Sequence, residues 1–272
     1  MTVTTRVASR LWPRLRRLRN RRFASDLAID PSAPPAVLSP HFDDAVIDCW
    51  SVLTRPEDVR VVNVFGGSPK TGCVAYWDRV SGALDSAARV RERISEDREA
   101  LDHAGRTPTN LDFLGIAYRA ARSEPSFGEL DAALASSITA VSKLYAPAAM
   151  GSVHPDHELI RAYALAMADQ GFAVTLYADV PYCVGHGWPS WVTGIPQDPY
   201  LDVDQAWSAS LAAFSDRCHG RPHVLRLDRD AAARKLAAMR TYRSQFAMLD
   251  RGPIGLLSNP LIHRFEVFWP LR

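Results

Sequence analysis

The chain has 272 residues, enough for one large domain with a substantial core, and its 47% apolar content is that of a globular protein. No apolar run approaches the roughly 18 residues needed to span a bilayer, and no apolar stretch follows the arginine-rich N-terminal region as a secretory signal requires, so a cytoplasmic protein is expected. The net charge of +2 hides an asymmetry: residues 1–22 carry eight arginines and no acid, leaving 24 basic and 30 acidic side chains, a balance of −6, on the remainder.

That asymmetry and the Pro-rich stretch PSAPPAV (31–37) set off residues 1–35 as a basic, flexible arm and linker ahead of a single domain over 36–272. In the domain, short apolar runs alternate with helical periods, as βαβ units around a parallel sheet require. AVLS (36–39) predicts a first strand and residues 43–53 the helix after it; VRVVNVF (59–65) predicts a second strand. A charged helix follows over 86–105, stopped by Gly105. LDFL (111–114) reads as a short strand, 127–143 as a helix and 143–148 as a strand. Residues 155–171 form a helix opening with Pro155 and closing with Gly171, and 173–179 form a strand. Beyond a Gly-, Pro- and aromatic-rich loop at 179–199 come helical signal at 203–216, a strand at 224–227, a helix at 229–245 and a last strand at 265–270. The expected fold is α/β: a Rossmann-like, largely parallel sheet flanked by helices, with a C-terminal elaboration. Cys49, Cys73, Cys183 and Cys218 lie far apart in no metal-like spacing and read as reduced thiols.

Ligands of open parallel sheets bind at the carboxyl ends of the strands. His41, Asp43 and Asp44 stand at that end of the first predicted strand, and His154, Asp156 and His157 stand in the equivalent place after the strand near 144–148. Two adjacent carboxylates entering a core need positive charge beside them. A divalent cation stabilises ionised carboxylates and neutral imidazoles together, and two histidines with one carboxylate leave a tetrahedral zinc one open position for water. One of the adjacent aspartates then binds the metal while the other takes a proton from water.

Both clusters resemble the motifs of the PIG-L/LmbE-like metal-dependent N-deacetylases. SPHFDDA (39–45) is similar to the family's Ala-His-Pro-Asp-Asp-Glu motif, in its Ser-Pro-His-x-Asp-Asp-Ala branch, and His-Pro-Asp-His is intact at 154–157. RVRERISEDREALDHAG (89–105) resembles the family's Arg-x-x-Glu helix through Arg93 and Glu96, and KLAAMRTYRSQF (235–246) its Lys…Tyr-x-Ser-Gln segment. The resemblance covers roughly residues 36–270. It implies His41, Asp44 and His157 as metal ligands, Asp43 as general base, and Arg93 as a substrate-holding residue. It also implies His154 as a cationic oxyanion stabiliser and acid, oriented and charged by Asp156. The implied reaction is zinc-dependent removal of an acetyl group from an N-acetylated amino sugar, glycoside or related small molecule; ferrous iron suits the same donors. Phe42 and Ala45 depart from the family's usual proline and glutamate, which puts substrate identity outside the carry-over.

Two other readings compete. One is an amidase acting on a thiol conjugate. The other is a binding protein using its arginine arm on an anionic surface; with a complete catalytic set present, no nucleic-acid partner is expected. Among further residues, His186, Tyr118 and Arg119 are candidates for the pocket. Trp77, Trp188 and Trp191 either stack on a sugar ring or pin their loops to the core. Tyr242, Ser244 and Gln245 either support the site from behind or simply pack a helix. GGSPKTG (66–72) lacks the spacing and the following helix of a phosphate loop.

Overall fold

The computed structural model describes residues 23–120, 123–151, 154–196, 198–250 and 255–272. Among these are nine strands: β1 (Ala28–Ile29), β2 (Ala36–Ser39), β3 (Arg60–Asn63), β4 (Pro108–Asn110), β5 (Ala140–Val141), β6 (Leu144–Pro147), β7 (Val174–Tyr177), β8 (His223–Arg226) and β9 (Phe265–Pro270). The longer helices are α1 (Asp44–Asp48), α2 (Ser86–Asp102), α3 (Phe127–Ile138), α4 (Pro155–Asp169), α5 (Val203–Leu211) and α6 (Arg229–Arg240). Seven strands form one sheet in the order β4–β3–β2–β6–β7–β9–β8, parallel from β4 to β7 and antiparallel at β9 and β8. The expected α/β fold is therefore present.

The apolar runs explain the centre of the sheet. β2, β6 and β7 are buried along their whole length, as strands covered by helices on both faces must be. From β2 the chain steps one way to β3 and β4, and from β6 the other way to β7. Neighbours β2 and β6, paired Ala36 to Leu144 and Val37 to Tyr145, thus flank a topological switch point, where diverging loops open a crevice. Both histidine clusters follow these two strands.

Several boundaries differ from the sequence expectation for identifiable reasons. The helix expected over 43–53 breaks at Cys49. Glu266 accepts the backbone N–H groups of Trp50 (2.8 Å) and Ser51 (2.9 Å), and the chain restarts as the turn Trp50–Leu53. The third strand is 108–110, not 111–114; Pro108 is tolerated because β4 is a sheet edge. The helix expected to run to 245 ends at Arg240, and Tyr242 turns back to donate its hydroxyl to Phe42 O at 2.9 Å.

The C-terminal elaboration is part of the sheet. β9 lies against β7, and its Glu266 forms a fully buried ion pair with Lys235 of α6 at 2.8 Å. The arm expected over 1–35 is described only from residue 23. There Phe23 packs on Phe127 and Tyr163, Leu27 is buried, and β1 pairs with β5, so the part expected as linker lies on the domain. The arginine-rich residues 1–22 lie outside the described residues.

Candidate active site

The turn after β2 is built by its own small polar side chains. Ser39 Oγ donates to His41 O (2.6 Å) and accepts from Ala45 N–H (3.0 Å), while His41 N–H donates to Asp44 Oδ2 (2.7 Å). This folds the His41 ring over Asp44, with Nδ1 3.5 Å from Oδ2. Phe42 lines the site cavity. Ala45 is 1% exposed, so a glutamate there would bury its charge in the core.

Across the switch point, Pro155 opens α4 and sets His157 in its first turn, 1% exposed. His157 Nε2 lies 3.3 Å from His41 Nδ1 and 3.5 Å from Asp44 Oδ1. Each ring has a carboxylate behind it: His41 Nε2 donates to Asp156 Oδ2 (3.1 Å) and His157 Nδ1 to Asp179 Oδ2 (3.0 Å). With those bonds made and both rings neutral, as a bound metal would require, the two facing nitrogens present their lone pairs to the same point. A cation placed there would take both nitrogens and the Asp44 carboxylate as donors. Donors around a tetrahedral ion with bonds of about 2.0–2.1 Å lie about 3.3–3.4 Å apart, which these separations match. His154 joins the group, its ring nitrogen within 4.8 Å of those of His41 and His157. The residues present therefore fit a metal.

The carboxylate of Asp156 does not hold His154, contrary to expectation. It lies on His41, on Arg119 Nη1 (2.5 Å) and on Ile116 N–H (2.9 Å), and only the Asp156 backbone N–H reaches His154 Nδ1, at 3.3 Å. Gly115 lies alongside, where a Cβ would stand 3.4 Å from Asp156 Oδ2. Burial, then the neighbouring His41 and His157, pull the His154 imidazole down to about 3. With Nδ1 accepting, neutral His154 carries its proton on Nε2.

The two adjacent aspartates diverge electrostatically. Burial works against the charge of Asp44, but His157 and His41 hold its carboxyl well below the usual range. Burial and the Asp44 charge push Asp43 up to about 6. For His41, burial is outweighed by hydrogen bonds to Asp156 and Asp44, which raise it to about 10 and express the site's demand for positive charge.

A cavity of about 90 Å³ opens at this cluster, with His41, His154 and Asp156 in its wall. Arg93 lines it too, but its guanidinium is engaged by Asp78 and Tyr118, both at 2.8 Å. Trp77 also lines it; Trp188 instead is buried with Nε1 on Ile262 O, and Trp191 borders a different cavity. His186 lines a separate cavity of about 220 Å³ beside Tyr182 and Trp207. Tyr242 and Ser244 support the site from behind, through Phe42 O and through Glu96, which accepts from Ser244 N–H and Oγ; Gln245 reaches the cavity. Asp179 and Asp78 escaped sequence reasoning. For Asp179, a carboxylate at the end of the strand beside β6 was the available signal.

No family model matches the chain. Over 187 residues it is 27% identical to the 2'-N-acetylparomamine deacetylase of Niallia circulans, covering 55% of this chain and 67% of that one. Among solved structures, a triple mutant of a deacetylase from the teicoplanin biosynthetic pathway superposes with a TM-score of 0.64. It is 26% identical, over 88% of this chain and 98% of that one. The chain is an amide hydrolase of the deacetylase kind. A zinc-inhibited form of teicoplanin deacetylase, 23% identical over 88% of this chain and 98% of that one, shares the fold with a TM-score of 0.65. No helix among the described residues is long and apolar enough to cross a membrane.

Proposed function

We propose that this chain is a zinc-dependent N-deacetylase of the Ser-Pro-His-x-Asp-Asp-Ala branch, acting on an N-acetylated amino sugar or glycoside as a single catalytic domain in the cytoplasm. The observation that carries it is the convergence of His41 Nδ1, His157 Nε2 and Asp44 within 3.3–3.5 Å, beside an Asp43 raised to about 6. The nature of the relatives supports the acetyl group and the sugar. Free thiols throughout, two of them buried, support a reducing compartment.

His41, Asp44 and His157 would hold the metal, and when bound it supplies Lewis acidity toward the amide carbonyl and toward water. Asp43, whose carboxylate takes no hydrogen bond from another described residue, accepts the proton of the attacking water. Neutral His154 donates its Nε2–H to the amide oxygen as negative charge develops there. Asp43, near neutrality in its affinity for a proton, then passes that proton to the departing nitrogen. This division leaves His154 as a donor and gives the acid role to Asp43.

The test is to purify the protein, measure bound metal and assay acetate release from N-acetylglucosaminides alongside a thiol-conjugate amide. Activity abolished by chelation and restored by zinc is the expected result. Asp44→Ala and His157→Ala should lose the metal; unchanged metal content in either refutes the ligand set.

A further inference from the structure

A cavity of about 500 Å³ opens beside β8, the edge of the sheet, and shares no lining residue with the catalytic one. Its size is that of a small-molecule site. The walls are apolar, with Trp191, Leu211, Pro222 and Val224 around it and the buried Trp269 beneath.

Trp191 keeps 39% of its surface exposed, yet it is held in place. It belongs to the turn Ser190–Thr193, whose first residue donates its N–H (2.7 Å) and its hydroxyl (2.5 Å) to the Asp204 carboxylate of α5. Its ring packs against Trp207 with centroids 6.0 Å apart and planes at 88°, and Trp207 in turn packs against Trp269. An accessible indole is thus fixed before anything binds, so an aromatic ring that meets it loses little affinity to ordering the protein.

The wall also carries a cation. His219 N–H donates to Pro270 O at 2.8 Å, Gly220 turns the chain with a φ of 75°, and Arg221 follows, exposed and facing the cavity. Its neighbours are engaged, Arg217 by Asp169 and Arg272 by Cys218 O. Arg221 pairs with no carboxylate among the described residues, and no described Asp or Glu lines the cavity. A free guanidinium beside apolar walls is complementary to a carboxylate, which it takes through two parallel N–H donors.

We infer that this cavity is a second binding site, for an aromatic monocarboxylate whose ring packs on Trp191 and whose charge meets Arg221. A sugar would set its hydroxyls against Leu211 and Val224, a neutral arene would leave Arg221 unused, and an alkyl chain would make no ring contact with the indole. None of these residues belongs to the metal cluster, so the site stands apart from the deacetylase reading.

Calorimetry tests it with 2-naphthoate, 2-naphthylmethanol and decanoate, titrated into wild-type protein, W191A, W191F, R221M and D44N. Wild type should bind one 2-naphthoate, about 5- to 10-fold tighter than either the alcohol or decanoate. W191A should weaken 2-naphthoate about 5- to 10-fold and W191F by no more than about twofold, as loss and retention of aromatic contact imply. R221M should bring 2-naphthoate down to the affinity of the alcohol and leave the alcohol unchanged. D44N, altered at the metal cluster, should bind 2-naphthoate as wild type does. Unchanged affinity in W191A or in R221M, decanoate or the alcohol binding as tightly as 2-naphthoate, or no binding with a Kd below about 1 mM would each overturn the inference. So would loss of binding in D44N, which would put the carboxylate on the metal centre instead.

Discussion

The carboxylate behind His157 offers the sharpest test of the metal centre. Asp179 is 1% exposed, lies 3.0 Å from His157 Nδ1 through Oδ2, and accepts the Ala149 N–H at 2.9 Å. Asp179→Asn keeps an oxygen for both donors but removes the charge that makes Nε2 a stronger ligand. Outer carboxylates of this kind contribute about 10- to 100-fold in metal affinity, or about 1.4–2.8 kcal/mol. The variant should therefore bind zinc 10- to 100-fold more weakly by those same magnitudes, read by competition against a chromogenic chelator. Asp179→Ala should lose as much affinity and also about 1–3 kcal/mol of folding stability, because the Ala149 N–H is left buried without an acceptor. Urea unfolding of both variants separates the two effects. Zinc affinity within twofold of wild type in Asp179→Asn would refute the reasoning, since His157 would then not depend on the charge behind it.

Asp43→Asn should retain its metal and lose about 10²- to 10⁴-fold in kcat, the usual worth of a general base; full turnover would remove Asp43 from that role. Asp97 should make stability fall with rising pH. Burial, with the Asp43 and Asp44 charges, outweighs the hydrogen bonds from Tyr242 and Asn63 and pushes it up to about 7, against 3.8 in the unfolded chain. Between those values the folded state holds a proton that the unfolded state has lost, so stability is greatest at the acid side of the window and declines toward pH 7. The geometry agrees: Tyr242 has one hydroxyl proton for Phe42 O (2.9 Å) and Asp97 Oδ1 (2.8 Å), and a protonated Asp97 supplies the second. Asp97→Asn should gain on wild type in urea midpoint as pH rises from 4.5 to 7.5, and parallel curves would contradict this. Lys235→Met should cost about 3–5 kcal/mol by leaving Glu266 buried without its cation, and adding Glu266→Gln should restore part of it in the same unfolding assay.

The hydrophobic pattern made the sheet and the strand-end position of both clusters legible, because a run such as AVLS at 36–39 has one stable use in an α/β chain: a strand buried on both faces. The turn chemistry of SPHFDD was legible for the same kind of reason, since a serine and an aspartate bonding their own backbone need nothing distant. The break at Cys49 was not legible. It depends on Glu266, more than 200 positions away, capping two N–H groups that a continuous helix would have used. The end of α6 at Arg240 likewise depends on Tyr242 reaching Phe42 O.

What the sequence by itself determined is the chemistry present: imidazoles and carboxylates delivered to the ends of two strands, a donor set that suits a cation. Periodicity and spacing are local properties, and they suffice for that. Which group serves which was decided only by tertiary structure. Asp156, next but one to His154 in the chain, turns its carboxylate to His41 from the other cluster, and Asp179, just beyond a third strand, bonds His157. Arg93, free to bind an anion by its sequence, spends its charge on Asp78. Hydrogen bonds and ion pairs between buried groups depend on distances of about 3 Å, and neighbours at that range are chosen by the packing of elements, not by their order along the chain.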